Sequence, residues 1–147
     1  MAVRHLLKPH NKSLVVYHLV CPVRYRRKVF TDAVSQTLKD VCQDFAPAHE
    51  FQFLEIGIDI DHVHFLIQTV PDTRPSDMVK KIKSITAKHI FAKHPEVKTF
   101  LWGGRFWTSG YYINTVGNAN VDIITNYVKN QGLPDYQQLL QQSTLFS

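Results

Sequence analysis

Four side chains have types and spacing that can do chemistry: His62 and His64 in the run DHVHFLI (61–67), and Tyr127 and Gln131 near the end of the chain. Two imidazoles at i and i+2 of an extended segment project from one face about 7 Å apart at the backbone, close enough to share a divalent ion. Asp61 abuts the pair and is placed to orient an imidazole as a hydrogen-bond acceptor. Tyr127 and Gln131, at i and i+4, put a phenol and an amide one turn apart on one helix face. Together the set suits phosphodiester chemistry by covalent catalysis. A metal held by His62, His64 and Gln131 would polarise a phosphate oxygen, and the Tyr127 hydroxyl would attack phosphorus. A phenol with a pKa near 10 needs help in losing its proton, and no sequence feature identifies the base.

The elements that must position these groups are legible in the periodicity. Residues 14–20, LVVYHLV, are β-branched and aromatic and stop at Pro22, the pattern of a strand. Thr31 is a good N-cap for a helix whose Val34, Leu38, Val41, Cys42 and Phe45 fall on one face, ending before Pro47. In FQFLEIGID (51–59), Leu54, Ile56 and Ile58 alternate with Glu55, Gly57 and Asp59, the period of a half-buried strand. A turn near 59–61 then leads into a third strand over 62–70, with Val63, Phe65 and Ile67 on one face and His62 and His64 on the other.

Ser76 is the expected cap of a second helix to about Phe91, with Met78, Val79, Ile82, Ile85 and Ile90 inward and Lys80, Lys81, Lys83 and Lys88 outward. A Gly-containing loop, FLWGGRFW (100–107), precedes a fourth strand over FWTSGYYINTV (106–116). A last helix is expected from about Asn120 to Gln131, stopped by Gly132 and Pro134. The order strand, helix, strand, strand, helix, strand predicts an α+β fold of the ferredoxin-like split β-α-β type. Its antiparallel sheet would carry both helices on one face and leave the other open, with His62 and His64 on the open side. The extra C-terminal helix would follow the last strand and lie across that face.

At 147 residues the chain is the size of one domain, and one domain over 1–147 is the expectation, with no role assigned to the Gln-rich tail after about 133. Hydrophobic residues make up 44% and charged residues 20%, the balance of a soluble globular protein. There is no long apolar run, and MAVRHLLKPHNK lacks the centre of a signal peptide, so no membrane span and a cytoplasmic location are expected. Cys21 and Cys42 have no CxxC spacing and read as buried thiols. The net charge of +5 makes a polyanion a reasonable partner, and Arg24, Arg26, Arg27 and Lys28 are the candidate phosphate contacts. The lysine face of the second helix is a weaker candidate. Trp102, Phe106 and Trp107 could stack on bases, although packing is the commoner use of such residues.

These residues resemble a known family, the single-tyrosine HUH (His, hydrophobe, His) transposases of bacterial insertion sequences, the TnpA family. The resemblance runs through YHLVCPVRYRRKVF (17–30), EIGIDIDHVHFLIQ (55–68), LWGGRFWTSGYYINTVG (101–117) and NYVKNQ in the last helix. It implies that Tyr127 is the nucleophile, that His62, His64 and Gln131 hold Mg²⁺ or Mn²⁺, and that the substrates are single-stranded DNA ends bearing hairpins. The products would be a 5′-phosphotyrosine adduct and a free 3′-hydroxyl. It also implies a homodimer joined by strand pairing, with active sites completed in cis or in trans by way of a joint at GNAN (117–120). Ile60 departs from the proline that the family often carries there, which touches the turn and not the chemistry.

A histidine-triad nucleotide hydrolase would need a third histidine where this chain has Leu66, and a duplicated two-histidine phosphoesterase would need a second HxT or HxS copy. A non-catalytic nucleic-acid-binding module would want aromatics on the open face, where this chain has Glu55, His62 and His64. Within the same chemistry, the alternative is a domesticated repeat-associated tyrosine transposase that acts on chromosomal palindromes. The protein sequence does not separate it from a mobile element's own enzyme.

Overall fold

The structure, a computed structural model, describes residues 14–117 together with Thr125, Asn126, Val128 and Lys129. In chain order the main elements are strand β1 (Val15–Pro22), helix α1 (Asp32–Phe45), β2 (Gln52–Ile58), β3 (His62–Thr69), α2 (Pro75–Lys93), a short α3 (Pro95–Phe100) and β4 (Tyr112–Val116). The four strands form one antiparallel sheet in the order β2-β3-β1-β4. This is the split β-α-β arrangement expected from the periodicity. Among the described residues no helix is long and apolar enough to cross a membrane.

Local chemistry accounts for the element ends. Thr31 Oγ1 accepts from the Val34 amide at 3.2 Å and so caps α1. α2 begins two residues earlier than a Ser76 cap predicts: Pro75 takes the first helical position, where its missing N–H costs nothing, after an extended Arg74 that makes no side-chain cap. Thr86, not Ile85, completes the buried stripe of α2, because the Thr86 hydroxyl accepts from Trp107 Nε1 at 3.0 Å. The fourth strand is shorter than the reading of 106–116. Phe106 and Trp107 turn into the core, Trp107 bridges only to Val23, and Lys83 Nζ donates to the carbonyls of Thr108, Ser109 and Gly110 at 2.7, 3.3 and 3.1 Å. Those carbonyls are therefore held by a helix side chain rather than by a strand ladder.

The core lies between the sheet and the two long helices. Leu19, Cys21, Val63, Phe65 and Ile67 from the central strands meet Val34, Leu38, Met78, Ile82 and Ile90, all buried. A β-bulge between Phe53 and Glu55 changes the expected parity of β2: Phe53 joins Ile56 in this core while Leu54 does not. Both cysteines are free and buried, as their sequence context suggests.

The alternation on β3 holds, with His64 on the face away from that core, and the last helix reaches that face as expected. His18, His64, Leu66 and Gln68 on the second face are all buried. Residues 125, 126, 128 and 129 are helical, and the Val128 main chain presses so closely on Gly57 that a Cβ at 57 would collide with the Val128 carbonyl. Glycine at this position of a strand is what lets another backbone come that near. The expectation of a helix from about Asn120 to Gln131 is met where it is described, at those four residues.

Candidate active site

The tight turn after β2 fixes how the histidines are presented. Asp59 N donates to the His62 carbonyl at 2.9 Å, closing the hairpin, and the Asp59 carboxylate accepts from the Ile60 amide at 2.7 Å. A second turn, Arg24–Arg26, is packed against it through the Val23 amide on the Asp61 carbonyl at 2.8 Å. Tyr25 and Arg26 both sit at positive φ (60° and 53°), a conformation that costs non-glycine residues energy. The strained turn delivers the Arg26 guanidinium to Asp61 in a two-pronged contact, Nε to Oδ2 at 3.0 Å and Nη2 to Oδ1 at 3.3 Å.

Asp61 in turn accepts from His62 Nδ1 at 2.8 Å, the orienting role expected of it. Burial alone would raise the Asp61 carboxyl; the hydrogen bonds from His62 and Arg26, with the charge on Arg26, outweigh it and hold the group below the ordinary 3.8. With Nδ1 engaged as donor, His62 keeps the lone pair of Nε2. That atom lies 3.1 Å from Nε2 of His64. The pairing continues inward to a residue that the sequence reading passed over: His64 Nδ1 is 3.2 Å from Nε2 of His18 on β1, fully buried. Burial, and next the proximity of His64, push His18 down from 6.5 to about 3; burial, and next the charge on His62, push His64 down to about 4, with Asp59 opposing. Both are neutral imidazoles at neutral pH, the form that ligates metals.

The two Nε2 atoms fit one divalent ion. Bonds of about 2.1 Å at a right angle place two ligand atoms about 3.0 Å apart, close to the 3.1 Å found between them. They are two ligands only: among the described residues no group of three His, Cys, Asp or Glu side chains could hold an ion. Tyr127 and Gln131 lie outside the described residues, as do 118–120 of the expected joint. Their described neighbours Asn126 and Val128 are helical, and Val128 stands over Gly57, whose partner across the ladder is His64.

The basic cluster is largely committed within the protein. Arg24 Nη2 donates to the Tyr25 hydroxyl at 3.0 Å, Arg27 stacks over the Phe100 ring at 5.0 Å, and Arg26 holds Asp61. Arg26 nevertheless keeps 58% of its side chain exposed, and Lys28 is exposed. Of the three aromatics, Phe106 and Trp107 are core residues while Trp102 is 72% exposed. His18 was detectable in the sequence by the same oddity that marks His62 and His64, an imidazole inside an apolar strand, but only the pairing of β1 with β3 brings it to His64.

The chain is similar to known transposases. The IS200-like transposase family matches residues 11–131. The ISDra2 transposase TnpA of Deinococcus radiodurans is 34% identical over 115 residues, covering 78% of this chain and 82% of that protein. The transposase for insertion sequence element IS200 of Salmonella typhimurium is 25% identical over 122 residues, covering 83% and 80%. A crystal structure from Deinococcus radiodurans assigned as a transposase superposes with a TM-score of 0.69 at 30% identity, covering 85% of this chain and 96% of that one. A REP-associated tyrosine transposase bound to a REP hairpin shares the fold, with a TM-score of 0.56 at 14% identity over 87% and 69%. A family match over most of its length, carried on the split β-α-β sheet with the paired histidines on β3, places the chain among the IS200-like transposases of insertion sequences.

Proposed function

We propose that the chain cuts and rejoins single-stranded DNA at hairpin-bearing ends of an insertion sequence, through a covalent link to Tyr127. The observation that carries this reading is the convergence of His62 Nε2 and His64 Nε2 at 3.1 Å, with the far nitrogen of each ring already engaged. Two imidazoles whose Nε2 atoms converge on one point are suited to hold a metal ion together. Mg²⁺ or Mn²⁺, held by His62, His64 and Gln131, would supply Lewis-acid polarisation of the scissile phosphate.

The Tyr127 hydroxyl loses its proton and its oxygen attacks phosphorus. The bond from phosphorus to the 3′ oxygen breaks, and that oxygen leaves as a hydroxyl. One phosphoester replaces another, so a 3′-hydroxyl from a second strand can attack the phosphotyrosine and release the tyrosine without an outside energy source. Support for Tyr127 comes from its place in the chain, directly before the Val128 that packs on Gly57 beside His64. Arg26, which holds Asp61 beside this site, and Lys28 face solvent and suit a phosphate backbone; Lys80 and Arg105, along the groove between α2 and the 104–111 segment, are a second such surface. A homodimer suits β4, the edge of the sheet, with Tyr112 42% exposed.

A domesticated enzyme acting on chromosomal palindromes is the second reading, favoured by the fold shared with a transposase bound to a REP hairpin. The greater identity to the ISDra2 transposase favours the mobile-element reading. The test is incubation of labelled single-stranded hairpin DNA with wild-type and Tyr127→Phe protein, with Mg²⁺, Mn²⁺ or chelator. A metal-dependent covalent adduct missing in the variant supports the proposal. Metal-independent cleavage, or an adduct that survives the substitution, overturns it.

A further inference from the structure

We propose that His18 is a positioning residue for the site: its Nε2 accepts the Nδ1–H of His64, fixing the tautomer and ring plane that aim the His64 Nε2 lone pair where His62 Nε2 points. The inference rests on the metal reading above and extends it to a residue outside the HVH motif.

Three observations carry it. The nitrogens are 3.2 Å apart, within reach of an N–H···N bond. The ring planes are parallel to within 8° while the centres stand 5.3 Å apart, so the centres are separated by nearly two ring radii more than the nitrogens are. The imidazoles therefore meet edge to edge, which puts the lone pair of one in line with the N–H of the other. Finally, the contact is buried, with His18 at 0% and His64 at 4% exposure, so bulk water does not compete for it. Its placement follows from the ladder: His18 opposes Leu66 and Val20 opposes His64, one step along the same face.

The chain of contacts forces the direction of the bond. His62 Nδ1 donates to Asp61, so a shared ion needs the lone pairs of both Nε2 atoms. His64 must then carry its hydrogen on Nδ1 and donate it, and His18 must accept. In the opposite arrangement, His18 donating, His64 would hold its hydrogen on Nε2 and could not ligate. His18 thus does for His64 what Asp61 does for His62, with a neutral ring in place of a carboxylate.

The test uses full-length protein labelled with ¹⁵N in the histidines. In wild type saturated with diamagnetic Mg²⁺, the His64 ring should be the Nδ1–H tautomer, with a scalar coupling across the hydrogen bond to His18 Nε2. Mn²⁺ should broaden the His62 and His64 signals. His18→Gln, which keeps an acceptor near the Nε2 position, should hold Mn²⁺ affinity within about threefold, whereas His18→Leu should lose about tenfold or more. A hydrogen on His64 Nε2 in wild type, or unchanged tautomer and affinity in a folded His18→Leu, overturns the proposal. Should His18→Leu not fold, the wild-type coupling decides: its absence refutes the bond. If Mn²⁺ leaves His62 and His64 untouched while the coupling is present, the metal reading fails and the hydrogen bond stands by itself.

Discussion

Gly57 on β2 is in direct contact with the main chain of Val128, and the missing side chain at 57 is what admits it. The glycine therefore sets how near the segment containing Tyr127 comes to His64, the residue opposite Gly57 in the ladder. Gly57→Ala must displace either the strand or the helix, and misplacing a reacting group by about 1 Å can cost about 10²-fold. We expect DNA cleavage to fall at least tenfold, with the far-ultraviolet circular dichroism of the sheet and helices retained. Wild-type cleavage by Gly57→Ala would show that the contact does not position the nucleophile.

The buried histidines give stability a defined dependence on pH. An unfolded histidine takes up a proton near 6.5, whereas folding lowers His64 to about 4 and His18 to about 3. Between those values the unfolded chain binds more protons, so stability is full above 6.5 and falls as pH drops from 6.5 towards 3. Asp61, held below 3.8, adds a further loss only at the acid end of that range. At about 1.4 kcal/mol per unit of lowering, the combined loss by pH 4 is on the order of several kcal/mol. Thermal unfolding should therefore give a constant Tm from pH 8 to 7 and a steep fall below 6.5. A flat Tm between pH 7 and 5 would contradict the burial of these rings in neutral form.

Thr86 joins α2 to the loop before β4: its hydroxyl accepts from Trp107 Nε1 and donates to the Ile82 carbonyl at 2.6 Å. Thr86→Val keeps the shape and removes the acceptor for a buried indole N–H. The expected cost is about 1–3 kcal/mol, measured as a lower urea midpoint with an unchanged slope. No change in midpoint would mean that the indole finds another partner.

If an amide is the third ligand, it is the weakest of the three donors. Gln131→Ala should lower metal-dependent cleavage less than His64→Ala does, by a difference of about tenfold or more. Equal losses, read from cleavage at saturating Mn²⁺, would contradict that ranking.

Much of this architecture was legible because period and punctuation are local properties. Thr31 as a cap, the alternation of Val63, Phe65 and Ile67 against His62 and His64, and the order of elements all come through. The departures share one cause, contacts made between segments distant in sequence. Leu54 leaves the core because a bulge shifts the β2 register against β3, and strand four starts late because Lys83, on α2, takes the carbonyls it would have used. His18 shows the same limit at the site. An imidazole in LVVYHLV is visible as unusual, but its meaning depends on which strand lies beside it. The last helix was expected across the second face, and Val128 reaches it there; how close its backbone comes was signalled only by a glycine inside β2.

The proposed mechanism stands or falls on a bond between phosphorus and the Tyr127 oxygen. The most direct measurement is peptide mapping by mass spectrometry of protein incubated with Mn²⁺ and single-stranded hairpin DNA, then digested with protease and nuclease. The expected product is a 5′-nucleotide attached to the peptide containing Tyr127, absent with chelator. Cleaved DNA with no modified peptide, or a nucleotide on another residue, would contradict it.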